Sequence, residues 1–151
     1  MKQLFTIDYL PLDNLPEGII KYGKLDFAKM YLPTNIISLI EMMAFEIKDP
    51  RISYHCRTLK EGECFGHGKW HCDGKQVEGE IHRLLTVGGE PTEGEDGFIL
   101  TAKTVWEYSG VYKHRAKPTN QPCKRLMLRV SQTEMLFRNN FLEAFPPLVV
   151  G

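Results

Sequence analysis

Residues 124–132 run "KRLMLRVSQ", with an apolar side chain at every second position from Leu126 to Val130. Successive side chains of a strand point to opposite faces. Leu126, Leu128 and Val130 therefore share one face, and Arg125, Met127 and Arg129 share the other. The first face is apolar throughout. The second carries two guanidinium groups, and a guanidinium turned into a barrel is costly unless an anion meets it. A small dicarboxylate suits such a face, because a guanidinium grips a carboxylate through two parallel hydrogen bonds.

Working outward, the same strand-like texture extends back to Pro50. "RISYHCRTLK" (51–60), "EIHRLLTVGG" (80–89) and "FILTAKTVWEY" (98–108) are rich in β-branched and aromatic residues and bounded by turn formers. "EPTEGEDG" (90–97) reads as an acidic, solvated turn region, and "KPTNQP" (117–122) as a second turn. Ahead of the strands, "TNIISLIEMMAFEIKD" (34–49) reads as an amphipathic helix. Thr34 is placed to cap it, Ile36, Ile40, Met43 and Ile47 recur at helical spacing, and Pro50 stops it. Residues 1–33, punctuated by Pro11, Pro16 and Pro33, are expected to wrap around the core. The tail "TEMLFRNNFLEAFPP" (133–147) reads as a closing helix with Leu136, Phe137, Phe141 and Phe145 inward. A helix followed by a run of antiparallel-looking strands, without βαβ alternation, favours a β-sandwich or open barrel over a Rossmann-like sheet.

The chain has 151 residues and formal net charge +0. That length fits a single domain, 1–151, with a core over 52–131 and flanking elements at 1–51 and 132–151. Zero net charge argues against a purely electrostatic nucleic-acid binder. No apolar run approaches the roughly 20 residues that span a bilayer. The N-terminal stretch is broken by Asp8 and Pro11 and does not read as a signal peptide, so no membrane partner and a cytoplasmic location are expected. Cys56, Cys64, Cys72 and Cys123 then read as reduced thiols.

Chemistry concentrates in "GKWHCDGK" (68–75) and in "YKHRAKPTNQPCKRLMLRVS" (112–131). His71 and Asp73, two apart, project to one side of a strand or its end, while Cys72 points away. That pair offers an imidazole and a carboxylate to a divalent metal. It is weak evidence alone. His114, followed by a turn and then Arg125 on a strand, strengthens it.

The order His71-x-Asp73, His114, Arg125 resembles the Fe(II)/2-oxoglutarate-dependent dioxygenases. "GKWHCDG" is similar to the Trp-His-x-Asp-Gly of several branches. "HRAKPTNQPCKRLMLRVS" resembles the His–turn–Arg–strand signature of the prolyl-hydroxylase and alkylation-repair branches, and "CRTLKEGE" (56–63) the strand and turn that precede the first motif. The likeness covers residues 52–131. It implies a double-stranded β-helix, a jelly-roll or cupin-like barrel that is mainly β with flanking helices. It implies that His71, Asp73 and His114 hold Fe(II) as a facial triad, and that Arg125 holds the distal carboxylate of 2-oxoglutarate. The activity implied is that of an oxidoreductase which uses O2 and 2-oxoglutarate to hydroxylate a substrate, or to demethylate it by hydroxylation at a methyl. The gap from Asp73 to His114 is short for the family, and nothing outside these four residues identifies a branch or a primary substrate. Nucleotide, nucleic acid, protein and small molecule all stay open.

Other residues have two readings each. Tyr54, Tyr108 and Tyr112 are candidates for cosubstrate or substrate contacts, Tyr54 foremost for the cosubstrate. Arg129, Trp70 and Arg115 are candidates for the primary substrate, against packing or a solvated edge. Arg57 faces the pocket in one strand register and turns away in the other. His82 reads as a satisfied strand residue rather than an extra ligand. Three rival functions remain, one of them a metal-dependent cupin, such as an isomerase or a dioxygenase without cosubstrate, which would need no inward arginine after the second His. Cys56, Cys64, His67 and Cys72 could hold structural zinc. The same barrel could also be a non-enzymatic small-ligand-binding or interaction protein.

Overall fold

The computed structural model describes residues 1–66 and 68–135. Nine strands and two helices follow in the order β1 (Lys2–Thr6), β2 (Gly18–Lys24), α1 (Leu25–Tyr31), α2 (Thr34–Met43), β3 (Arg51–Leu59), β4 (Ile81–Val87), β5 (Thr92–Gly94), β6 (Ile99–Leu100), β7 (Thr104–Ser109), β8 (His114–Arg115) and β9 (Cys123–Gln132). The expected closing helix over 133–147 lies almost wholly outside the described residues. None of the described helices is long and apolar enough to cross a membrane.

The architecture is mainly β, with two antiparallel sheets. Six strands pair in the order β1-β7-β4-β9-β3-β2, and three in the order β6-β5-β8. All their pairings are antiparallel. Among the described residues no ladder joins the two sheets into a closed barrel.

Strand β9 lies at the centre, paired along its length with β3 and β4. Its two faces divide as alternation requires. Leu126, Leu128 and Val130 are fully buried against a cluster that includes Ile36, Leu39, Ile40 and Met43 of α2. Burying each such side chain stabilises by roughly 1.5–3 kcal/mol, so this layer anchors the helix to the sheet. Arg125, Met127 and Arg129 border a cavity of about 320 Å³ that is also lined by Thr92 of β5 and His114 of β8. The cavity therefore lies between the sheets.

Several expectations need correction. Residues 1–33 do not merely wrap the core: β1 and β2 form the two edges of the large sheet, which thus reaches outside 52–131. Pro33, not Thr34, is the N-cap of α2, and Thr34 is the first helical residue, with no side-chain cap bond. The helix also ends at Met43, well before Pro50. A cation from the sheet supplies the reason. Arg83 Nη1 donates to the carbonyl of Met43 at 2.9 Å and to that of Phe45, satisfying carbonyls that a helix end leaves without partners. "FILTAKTVWEY" is two strands in different sheets, β6 and β7. The chain crosses between sheets at Ala102–Lys103, where Lys103 takes φ 61°. The acidic stretch 90–97 contains β5 as well as a turn.

Candidate metal centre

Two backbone hydrogen bonds, His71 N to His114 O and His114 N to His71 O, both 3.0 Å, fix the first and last members of the expected triad side by side. His114 is on β8, and His71 forms a single bridge at that strand's other edge. Asp73 follows two residues on, so it points the same way as His71. Gly74 then turns the chain at φ 64°, a conformation that a side chain would strain.

His71, Asp73 and His114 bring ligand atoms within 4.8 Å of one another. His71 Nδ1 lies 2.8 Å from the carbonyl of Lys69, and His114 Nδ1 3.0 Å from that of Tyr112. A carbonyl only accepts, so each Nδ1 carries a proton and Nε2 is the ring atom turned toward Asp73. His114 Nε2 is 3.0 Å from Asp73 Oδ2, and His71 Nε2 is 3.8 Å from Oδ1. Donors on one face of an octahedron with bonds of about 2.1 Å stand about 3 Å apart. The donor types suit a divalent cation, and the three ligand atoms, within 4.8 Å of one another, draw closer to form that face.

Asp73 is 5% exposed yet well supplied with donors. Tyr108 donates its hydroxyl to Oδ2 at 2.5 Å, and Arg129 Nη1 is 3.0 Å from Oδ1. Burial alone would push this carboxyl up. The Arg129 guanidinium, the His114 ring and the Tyr108 hydroxyl together outweigh it and hold Asp73 well below the usual carboxylate range. Tyr108 is driven the other way, by burial and by the negative charge of Asp73, so it stays protonated as a donor. Tyr22 accepts from Gly74 N at 2.7 Å and lays its ring 4.9 Å from the Arg129 guanidinium. Its own φ of 53°, at an irregularity in the β2–β3 pairing, sets it there. Such outer partners orient ligands and tune their basicity.

Arg125 borders the same cavity as the triad and is 3% exposed. Nη1 donates to the carbonyls of Gly88 at 2.7 Å and Glu90 at 2.5 Å, and Nη2 approaches Thr92 Oγ1 at 3.4 Å. Nε is buried without a hydrogen-bond partner. Among the described residues no carboxylate stands at ion-pair distance from it, whereas Arg129 has Asp73. Arg129 is the one seated on the triad, and Arg125 is the buried cation left without an acid.

The remaining candidates separate by strand face. Tyr54 borders the cavity, but its ring belongs to the helix-side core and its hydroxyl donates to Pro16 O at 2.6 Å. Trp70 and Arg115 each adjoin an inward histidine and so face outward. The Arg115 guanidinium stacks 4.2 Å from the Trp70 ring and bonds Glu93 at 2.6 Å, and neither residue borders the cavity. Arg57 shares the Arg125 face and donates to Cys64 O at 3.1 Å. His82 has Nδ1 2.8 Å from Ser131 Oγ, while Nε2 sits 3.5 Å from Glu80 without forming a hydrogen bond. For the zinc reading, Cys56 is fully buried in the helix-side core, and Cys56, Cys64 and Cys72 do not converge among the described residues. His67 lies outside them. A second cavity, of about 360 Å³ beside Lys48, Lys75, Glu80 and Thr133, touches none of the triad.

No protein-family model matches this chain, and no curated protein matches it.

Proposed function

We propose that this chain is an Fe(II)- and 2-oxoglutarate-dependent oxygenase on a double-stranded β-helix, hydroxylating or demethylating a substrate that enters between the sheets. One observation carries the reading. A buried guanidinium without an acid, Arg125, borders the same cavity as two imidazoles and a carboxylate poised around one point. A binding site for an anion alone has no use for the triad, and a metal site alone has no use for Arg125.

His71, Asp73 and His114 would hold the iron, which when bound supplies the oxidising chemistry together with O2 and the cosubstrate. Arg129 and Tyr108 keep Asp73 ionised and fix its two oxygens. The carbonyls of Lys69 and Tyr112 hold both imidazoles in the ligating tautomer. Arg125 would pair with the far carboxylate of 2-oxoglutarate and so fix the direction in which the diacid lies. Charge supports this. Asp73 and Arg129 cancel, so a divalent cation and Arg125 bring three positive charges to a cavity that Lys21 also borders, and a dianion offsets two of them. Leu84, Met127 and Ile20 give the site apolar walls that exclude water.

The test is turnover of 2-oxoglutarate. Protein supplied with Fe(II), ascorbate and air is expected to release succinate slowly even without its primary substrate, and His71→Ala is expected to abolish that release. Folded, iron-loaded protein that releases none, and also fails to bind 2-oxoglutarate, would return the chain to the ligand-binding reading.

A further inference from the structure

Opposite Met127 of β9, level with the gap between the two arginines, stands His55 of the neighbouring strand β3. Its ring borders the cavity and lies flat on Phe65, with centroids 3.8 Å apart and planes 13° apart. The same phenyl ring carries the guanidinium carbons of Arg125 at 5.5 Å and Arg57 at 5.8 Å. Lys21 of β2 also borders the cavity. Among the described residues Asp73 is the one acid bordering the cavity, and Arg129 already neutralises it. The far end of the cavity therefore gathers base upon base around one imidazole.

We propose that the end of the cavity lined by Lys21, His55 and Arg125, with Arg57 beside it on the Phe65 ring, is a carboxylate site in which His55 takes up a proton as the anion enters and becomes a second donor to it beside Arg125. The identity of the anion as 2-oxoglutarate rests on the oxygenase reading; the site itself does not. Burial, then the charges of Arg57, Lys21 and Arg125, push His55 down to about 4. It is therefore neutral at pH 6–7 in the free protein. An incoming carboxylate cancels part of that repulsion and offers an acceptor, both of which favour imidazolium. The groups that face His55 are Arg57 on its own strand, Lys21 on β2, Arg125 and Met127 on β9, and Phe65 on the loop, with no acid among the charges acting on it. By linkage, a ligand that raises a group's proton affinity binds more tightly as pH falls toward the raised value, by at most about tenfold per pH unit for one proton.

The experiment is calorimetric titration of Mn(II)-loaded protein with 2-oxoglutarate at pH 6.0, in two buffers of different ionisation enthalpy. Loading the metal first removes the triad imidazoles from the proton count. The expected result is uptake of a large fraction of one proton per ligand bound by the parent protein. Affinity should rise several-fold from pH 7.5 to pH 6.0, and both effects should vanish in His55→Gln, which still binds. His55→Phe, which keeps the stack on Phe65, serves if the glutamine variant does not fold. Binding without proton uptake, or uptake unchanged in both variants, overturns the proposal. Failure of 2-oxoglutarate to bind at all would sink the oxygenase reading instead. Malonate, a plain dicarboxylate, then decides the His55 site alone: proton-coupled binding keeps it, and no binding removes it.

Discussion

Arg125 and Arg129 leave the same face of β9 four residues apart, roughly 13 Å along a strand. Their surroundings give them different tasks. Arg129→Met leaves the Asp73 carboxylate buried without its cation. It should cost about 3–5 kcal/mol of stability, read from denaturant midpoints; a loss under about 1 kcal/mol would mean the pair is not formed. The sign with pH follows from Asp73, whose folded pKa is depressed. Its contribution is complete above the unfolded carboxylate value of about 3.9 and is lost as pH falls through the folded value. The difference between parent and Arg129→Met should therefore shrink in acid. Arg125→Ala should instead weaken 2-oxoglutarate binding by about 2–5 kcal/mol and leave metal affinity nearly unchanged. Equal binding by the variant and the parent would remove the cosubstrate anchor. The i, i+2 pair at His71 and Asp73 and the alternation of β9 were legible because both depend only on the two-residue period of a strand. The seating of Arg129 on Asp73 was not, because it depends on which end of β9 lies opposite residues 71–73, and that is set by sheet pairing. Tyr22 gave no signal: its left-handed backbone has no marker in "GIIKYGK".

At the scale of elements, α2 was visible in its apolar spacing but its end was not. The residue that ends it, Arg83, is forty positions away and belongs to the sheet. Arg83→Met should cost about 1–3 kcal/mol through the carbonyls it leaves unpaired. Amide exchange should quicken first in the last turn of α2. Unchanged exchange there would show that the helix end is held by its own backbone. The edge strands β1 and β2 were missed for a related reason. Prolines nearby obscured them, and β2 changes register partway along. An edge strand takes its definition from the neighbour it pairs with more than from its own pattern.

For the whole molecule, the two-sheet arrangement was legible in kind, and the sheet switch at Ala102–Lys103 was not, since neither residue is a customary turn former. The fold matters because it brings β8, β9 and the 71–73 segment, distant in sequence, around one cavity. A metal bound there ties them together. At about one hundred times its dissociation constant a ligand adds about 2.7 kcal/mol to stability. Mn(II) should accordingly raise the melting temperature by about 5–10 °C in a chain of this size. Asp73→Asn should lose most of that rise, and an equal rise in the variant would place the metal elsewhere.

The central claim is that the triad and Arg125 serve one ligand pair, an iron and a diacid. Anaerobic addition of 2-oxoglutarate to Fe(II)-loaded protein tests it most directly, through the weak visible charge-transfer band that arises when the keto acid chelates ferrous iron. The band is expected in the parent protein, at much higher 2-oxoglutarate concentration in Arg125→Ala, and not at all in His114→Ala. A folded, iron-loaded parent protein that shows no band at saturating 2-oxoglutarate would contradict it.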